Sequence, residues 1–81
     1  MLENESVIPI GERITVTFDP ELGINDHLIR QAKLGVTRNY LPEDSVESVR
    51  IVPGHEEGEF QMIVRVKRFG ESEFVEEFVP L

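Results

Sequence analysis

The sequence predicts a two-layer α+β fold in the order β-α-β-β-β, one helix packed on a largely antiparallel four-stranded sheet. Ile10, Ile14, Val16 and Phe18 alternate with small or polar residues at the period of a half-buried strand. Residues 25–39 carry the one convincing apolar stripe with helical spacing. Three later segments are rich in β-branched and aromatic residues and are separated by Pro-Gly and Gly-Glu. One helix and several strands in this order bury their apolar faces most simply as a helix laid on one side of a sheet.

Residues 1–9 (MLENESVIP) show no clear period and end in Pro9, which predicts a loose arm able to lengthen the first strand. That strand runs from Ile10 to Phe18. Asp19-Pro20 stops it, because proline cannot donate to a ladder and restricts the residue before it, and Glu21-Leu22-Gly23 completes a turn. Asn25 is the expected helix N-cap, with Asp26 in the first turn and Ile24 and Ile29 placed as a hydrophobic staple. Leu28, Ile29, Ala32 and Val36 form the stripe that faces the core, while Arg30, Gln31 and Lys33 face outward. Gly35 leaves two endings open: a left-handed residue after a short helix, or an interior glycine in a helix reaching Asn39 before Leu41-Pro42 ends it.

The second strand is expected over residues 46–52 (VESVRIV), stopped by Pro53-Gly54, and the third over residues 59–69 (EFQMIVRVKRF). The segment 71–81 fits helical spacing through Phe74, Val75, Phe78 and Val79, but a hairpin accounts for more of it. With Gly70-Glu71 as a type II′ turn, Phe69 pairs with Ser72, Arg68 with Glu73, Val66 with Val75, Arg65 with Glu76 and Ile63 with Phe78. Charges then meet opposite charges and apolar residues meet apolar ones. In this register Met62, Val64, Val66, Val75 and Val79 share one face, and Ile63, Phe69, Phe74 and Phe78 share the other with Arg65, Lys67 and Glu76.

A chain of 81 residues has room for one core, so residues 1–81 are read as a single domain. Its 40% apolar and 30% charged content is that of a folding globular protein rather than a disordered one. With no cysteine there is neither a disulfide nor a thiolate ligand, and the acidic start of the chain does not resemble a signal peptide. No window approaches the ~18 apolar residues of a membrane span. These features predict a cytoplasmic protein. Sixteen acidic residues against eight basic ones give a net charge of −8, which repels phosphate backbones and argues against direct nucleic-acid binding. The charge is segregated: Arg30, Lys33 and Arg38 outnumber Asp26 between Ile24 and Tyr40, so the predicted helix is a basic island in an acidic chain.

Catalytic chemistry finds no footing. Ser6, Ser45, Ser48 and Ser72 lack a nucleophile-elbow context, and the six glycines are scattered rather than gathered into a phosphate-binding loop. His55 with Glu56, Glu57 and Glu59 is the one local group of imidazole and carboxylates, and it lies in an expected hairpin loop without H-E-x-x-H spacing. A solvated loop explains it better than a metal site, and His27 beside Asp26 reads as a surface residue rather than a general base. The expectation is therefore a non-enzyme without cofactor, metal, membrane or small-molecule substrate.

A single helix covers one face of a sheet, so the face bearing Ile63, Phe69, Phe74 and Phe78, framed by Glu73 and Glu76, is expected to stay open, and this face or an exposed sheet edge is expected to bind a protein partner. A second copy of the chain, giving a homodimer, is the expected occupant. The alternative is an acidic inhibitor or mimic that sets Glu56, Glu57, Glu59, Glu71, Glu73, Glu76 and Glu77 against the basic groove of a nucleic-acid-binding protein.

Overall fold

A computed structural model describes residues 6–9 and 14–81. It places strands β1 (Ser6–Pro9), β2 (Thr15–Phe18), β3 (Ser45–Pro53), β4 (Phe60–Lys67) and β5 (Val75–Pro80) around one α-helix, α1 (Asp26–Asn39). The strands form one sheet in the order β1-β2-β3-β4-β5, with β2 and β3 parallel and the other neighbours antiparallel. The class is α+β, as expected, but the sheet has five strands and is mixed.

Two local causes explain the difference. Ser6–Pro9 does not lengthen the next strand; it folds back on it, pairing Ser6 with Phe18 and Pro9 with Thr15. Pro9 is tolerated there because β1 is an edge strand. Ile10, which the expected first strand included, lies outside the described residues. The parallel pair follows from α1, whose 14 residues span about 21 Å and return the chain to the end from which β2 began.

Between β2 and α1 the chain turns sharply. Asp19 caps a single 3₁₀ turn at Pro20–Leu22 by accepting the Glu21 N–H at 2.9 Å, and Gly23 closes it with φ of 72°. The helix then starts where its caps say: Asn25 Oδ1 accepts the Leu28 N–H at 3.0 Å, and both staple residues, Ile24 and Ile29, pack on the core. It runs through Gly35 to Asn39. A Cβ on Gly35 would stand 2.6 Å from Met62 Cε, the flexible end of that side chain, so the glycine leaves Met62 room beneath the helix.

The core lies between α1 and one face of the sheet. Val16, Val49, Ile51, Met62, Val64 and Val66 are fully buried there, with Ala32 beneath the helix and Phe18 and Tyr40 at the margins. β-branched residues suit this surface because their stiff side chains stand off a pleated sheet without losing rotamer freedom. Among the described residues no helix is long and apolar enough to cross a membrane.

Candidate interaction surface

Among the described residues the helix covers one side of the sheet and leaves the other open. Residues opposite one another in an antiparallel ladder share a face. The pairs Val66/Val75 and Met62/Val79 put Val75 and Val79 on the core side, while Ile63/Phe78, Arg65/Glu76 and Gln61/Pro80 occupy the open side. On the same side β3 contributes Ser48, Arg50 and Val52, opposite Arg65, Ile63 and Gln61. The hairpin register is the one the sequence predicts from Val66 to Phe78. Residues 75–80 are strand, not helix.

The turn differs from the expected one. β4 ends at Lys67 and β5 begins at Val75, so residues 68–74 form a longer loop. The Glu71 N–H bonds the Arg68 carbonyl at 2.8 Å, and Gly70, with φ of 91°, takes the third position of that turn rather than the second. The expected pairs Phe69/Ser72 and Arg68/Glu73 therefore do not form.

This decides what becomes of the expected site. Ile63, Phe74, Glu76 and Phe78 gather on the open side: Phe78 is 61% exposed beside half-buried Ile63, and the Phe74 ring lies 5.4 Å from the Arg65 guanidinium and 5.6 Å from the Lys67 ammonium. Such cation–π contacts hold Phe74 down with a charged rim around it. Phe69, 75% exposed, sits in the turn and outside the ladder, and Glu73 lies in the same loop. A bulge between Val46 and Ser48 gives β3 an extra residue, Glu47, whose Oε1 lies 2.6 Å from Arg65 Nε. Positive Arg50, Arg65 and Lys67 thus stand among Glu47 and Glu76, and the open face lacks the acidity of the whole chain.

A polar cluster at the end of the sheet ties the hairpin to the helix. The Arg68 guanidinium donates from Nε and Nη2 to the two oxygens of Glu77 at 3.1 and 2.7 Å, and the Tyr40 hydroxyl donates to Glu77 Oε1 at 2.8 Å. The same guanidinium lies 4.7 Å above the Tyr40 ring and donates at 3.4 Å to the Asn39 carbonyl at the helix C-terminus. Asp44, with a side chain only 4% exposed, accepts the Leu41 N–H at 2.9 Å and the Phe69 N–H at 2.8 Å. These contacts explain the titration behaviour. Backbone donors from Leu41 and Phe69 hold the Asp44 carboxyl below its ordinary range, and Arg68 with Tyr40 does the same for Glu77. Burial, followed by the Glu77 carboxylate, pushes the Tyr40 phenol up to about 12. Sequence reasoning missed this cluster. Its readable sign was Glu77 itself, a charge between Val75 and Val79 on the core face, where an unpaired carboxylate is costly.

Beside the cluster, α1 and the start of β3 enclose a shallow groove of about 290 Å³ lined by Val36, Tyr40, Leu41, Pro42 and Val46. Asp44 borders it, but both of its oxygens already accept backbone N–H groups. His55, Glu56, Glu57 and Glu59 are all exposed in the β3–β4 loop, and His27 is exposed on α1. Among the described residues no three His, Asp or Glu side chains assemble as a metal-ligand set. Comparison with known proteins supplies no relative: no family model matches the chain, and neither a curated protein nor a solved structure does.

Proposed function

We propose that this chain is a non-enzymatic protein-interaction module that associates with itself through the side of the sheet the helix leaves uncovered. The observation that carries the reading is Phe78: a large aromatic ring, 61% exposed, on a regular strand beside Ile63 and at the rim of a mixed-charge face. An aromatic anchor ringed by charge is how a protein-binding surface is built. Charge favours a second copy as the partner. Two molecules of net charge −8 repel at most orientations, but the open face is of mixed sign, with Arg50, Arg65 and Lys67 standing among Glu47 and Glu76, so this side meets a second copy with the least repulsion.

The glutamates that motivate an acidic mimic are divided. Glu56, Glu57 and Glu59 lie in the β3–β4 loop, and Glu71, Glu73, Glu76 and Glu77 lie in or next to the β4–β5 loop at the other end of those strands. That placement supports self-association over the docking of one continuous acidic patch into a basic groove.

Sedimentation equilibrium tests the reading. The wild-type chain is expected to run as a dimer and Phe78→Glu as a monomer with an unchanged circular-dichroism spectrum. A wild-type monomer at about 1 mM, where an association of only ~4 kcal/mol is already half formed, overturns it.

A further inference from the structure

We infer that two copies pair antiparallel along β5, joining their sheets edge to edge with Phe78 on the two-fold axis. This rests on the self-association reading but sets the contact along the β5 edge, from which the Phe78 rings reach each other on the open side. The ladder shows which backbone groups are available. Leu81 donates its N–H to the Phe60 carbonyl at 3.0 Å, which marks residues 60 and 81 as a hydrogen-bonded pair. Such pairs alternate along antiparallel strands, so in the observed register Val75, Glu77 and Val79 turn their backbone groups toward β4. Glu76, Phe78 and Pro80 turn theirs outward, on the side where β5 ends the sheet formed by the described residues. Pro80 fits this alternation, since a proline within a strand must face away from its neighbour.

A second β5 must oppose outward-facing residues to outward-facing residues, which leaves few registers. Centring the axis on Glu77 sets two like charges against each other. Centring it on Val79 opposes Phe78 to Pro80 alone and leaves two hydrogen bonds between the β5 strands, whereas centring it on Phe78 forms four, although Pro80 has no N–H to return in either register. With Phe78 on the axis, each copy's Phe78 N–H donates to the other's Phe78 carbonyl, and each Glu76 N–H donates to the other's Pro80 carbonyl. The two Phe78 rings then meet on the open face, and no acid faces an acid. Charge also argues for a second copy over a basic strand. Glu77 is held by Arg68 and Tyr40, and Glu76 stands opposite Arg65, so the acids of β5 already face cations or donors of their own chain.

The absence of cysteine gives a direct test. Paired residues of this kind lie about 5.5 Å apart at Cα, within the roughly 4.4–6.8 Å a disulfide spans. Phe78→Cys is expected to form a disulfide-linked dimer under mild oxidation much faster than Phe69→Cys, a more exposed control in the loop. Because Phe78→Cys also removes the ring, a second pair of variants reads the backbone bond. Glu76→Pro deletes an outward N–H that β4 does not use, and it is expected to weaken the dimer about tenfold or more, whereas Glu76→Gln leaves it unchanged. A wild-type dimer with equal crosslinking at both positions, or one untouched by Glu76→Pro, overturns edge pairing and leaves association through the open face standing. A wild-type monomer overturns both.

Discussion

Tyr40 is the one tyrosine in a chain without tryptophan, so its ionisation can be followed by ultraviolet absorbance with no competing phenol. Enclosure at the helix end, the hydrogen bond to Glu77 and the charge of that carboxylate all favour the protonated phenol, against the opposing pull of Arg68, and together raise its pKa from 10.0 to about 12. A raised pKa means that the folded state binds this proton more tightly than the unfolded state does. The stabilisation is complete below pH 10 and is lost as pH rises through about 12. The phenolate band is therefore expected to appear near pH 12 in the native protein and at lower pH in Glu77→Gln, where the acceptor's charge is gone. A wild-type phenol titrating at its ordinary value while the protein is still folded would show that the Tyr40–Glu77 contact does not persist in solution.

At the scale of elements, the start of α1 gives a clear stability prediction. Asn25→Ala removes the side-chain oxygen that accepts the Leu28 N–H, and urea unfolding is expected to show a loss of about 1 kcal/mol, with Asn25→Ser close to wild type. A loss below the error of the measurement would mean that the staple of Ile24 and Ile29 sets the helix start unaided. What could be read in advance follows the same line between local and distant causes. The helix start and the β4–β5 register depend on residues near one another in sequence, and both were legible. Gly35 was ambiguous because its role lies in Met62, on another element. β1 escaped notice because a four-residue strand ending in proline carries almost no period, and it pairs only after the chain has folded back. The β4–β5 turn was misjudged because Arg68, free to pair with Glu73 in an isolated hairpin, is drawn to Glu77, Tyr40 and the Asn39 carbonyl. Four of the six expected surface residues therefore share the open side, while Phe69 and Glu73 went with the loop.

For the whole molecule, net charge gives a prediction whose sign separates the two partner classes. Two copies each carrying −8 repel at long range even where their contacting faces are balanced, and the repulsion acts over the Debye length, roughly 30 Å at 0.01 M salt and 8 Å at 0.15 M. The protein measures 37 × 28 × 19 Å, so at low salt nearly all of one copy's charge is felt by the other, and at physiological salt only the charge near the contact is. Self-association through a face of Phe78, Ile63 and alternating charges is therefore expected to tighten as salt rises across this range. Binding to a basic groove must weaken over the same range, since attraction between opposite net charges is screened. Light scattering at a fixed protein concentration across the salt series reads the difference. A dimer fraction that falls steadily with added salt would place the attraction in ion pairs across the contact rather than in the apolar contact at Phe78.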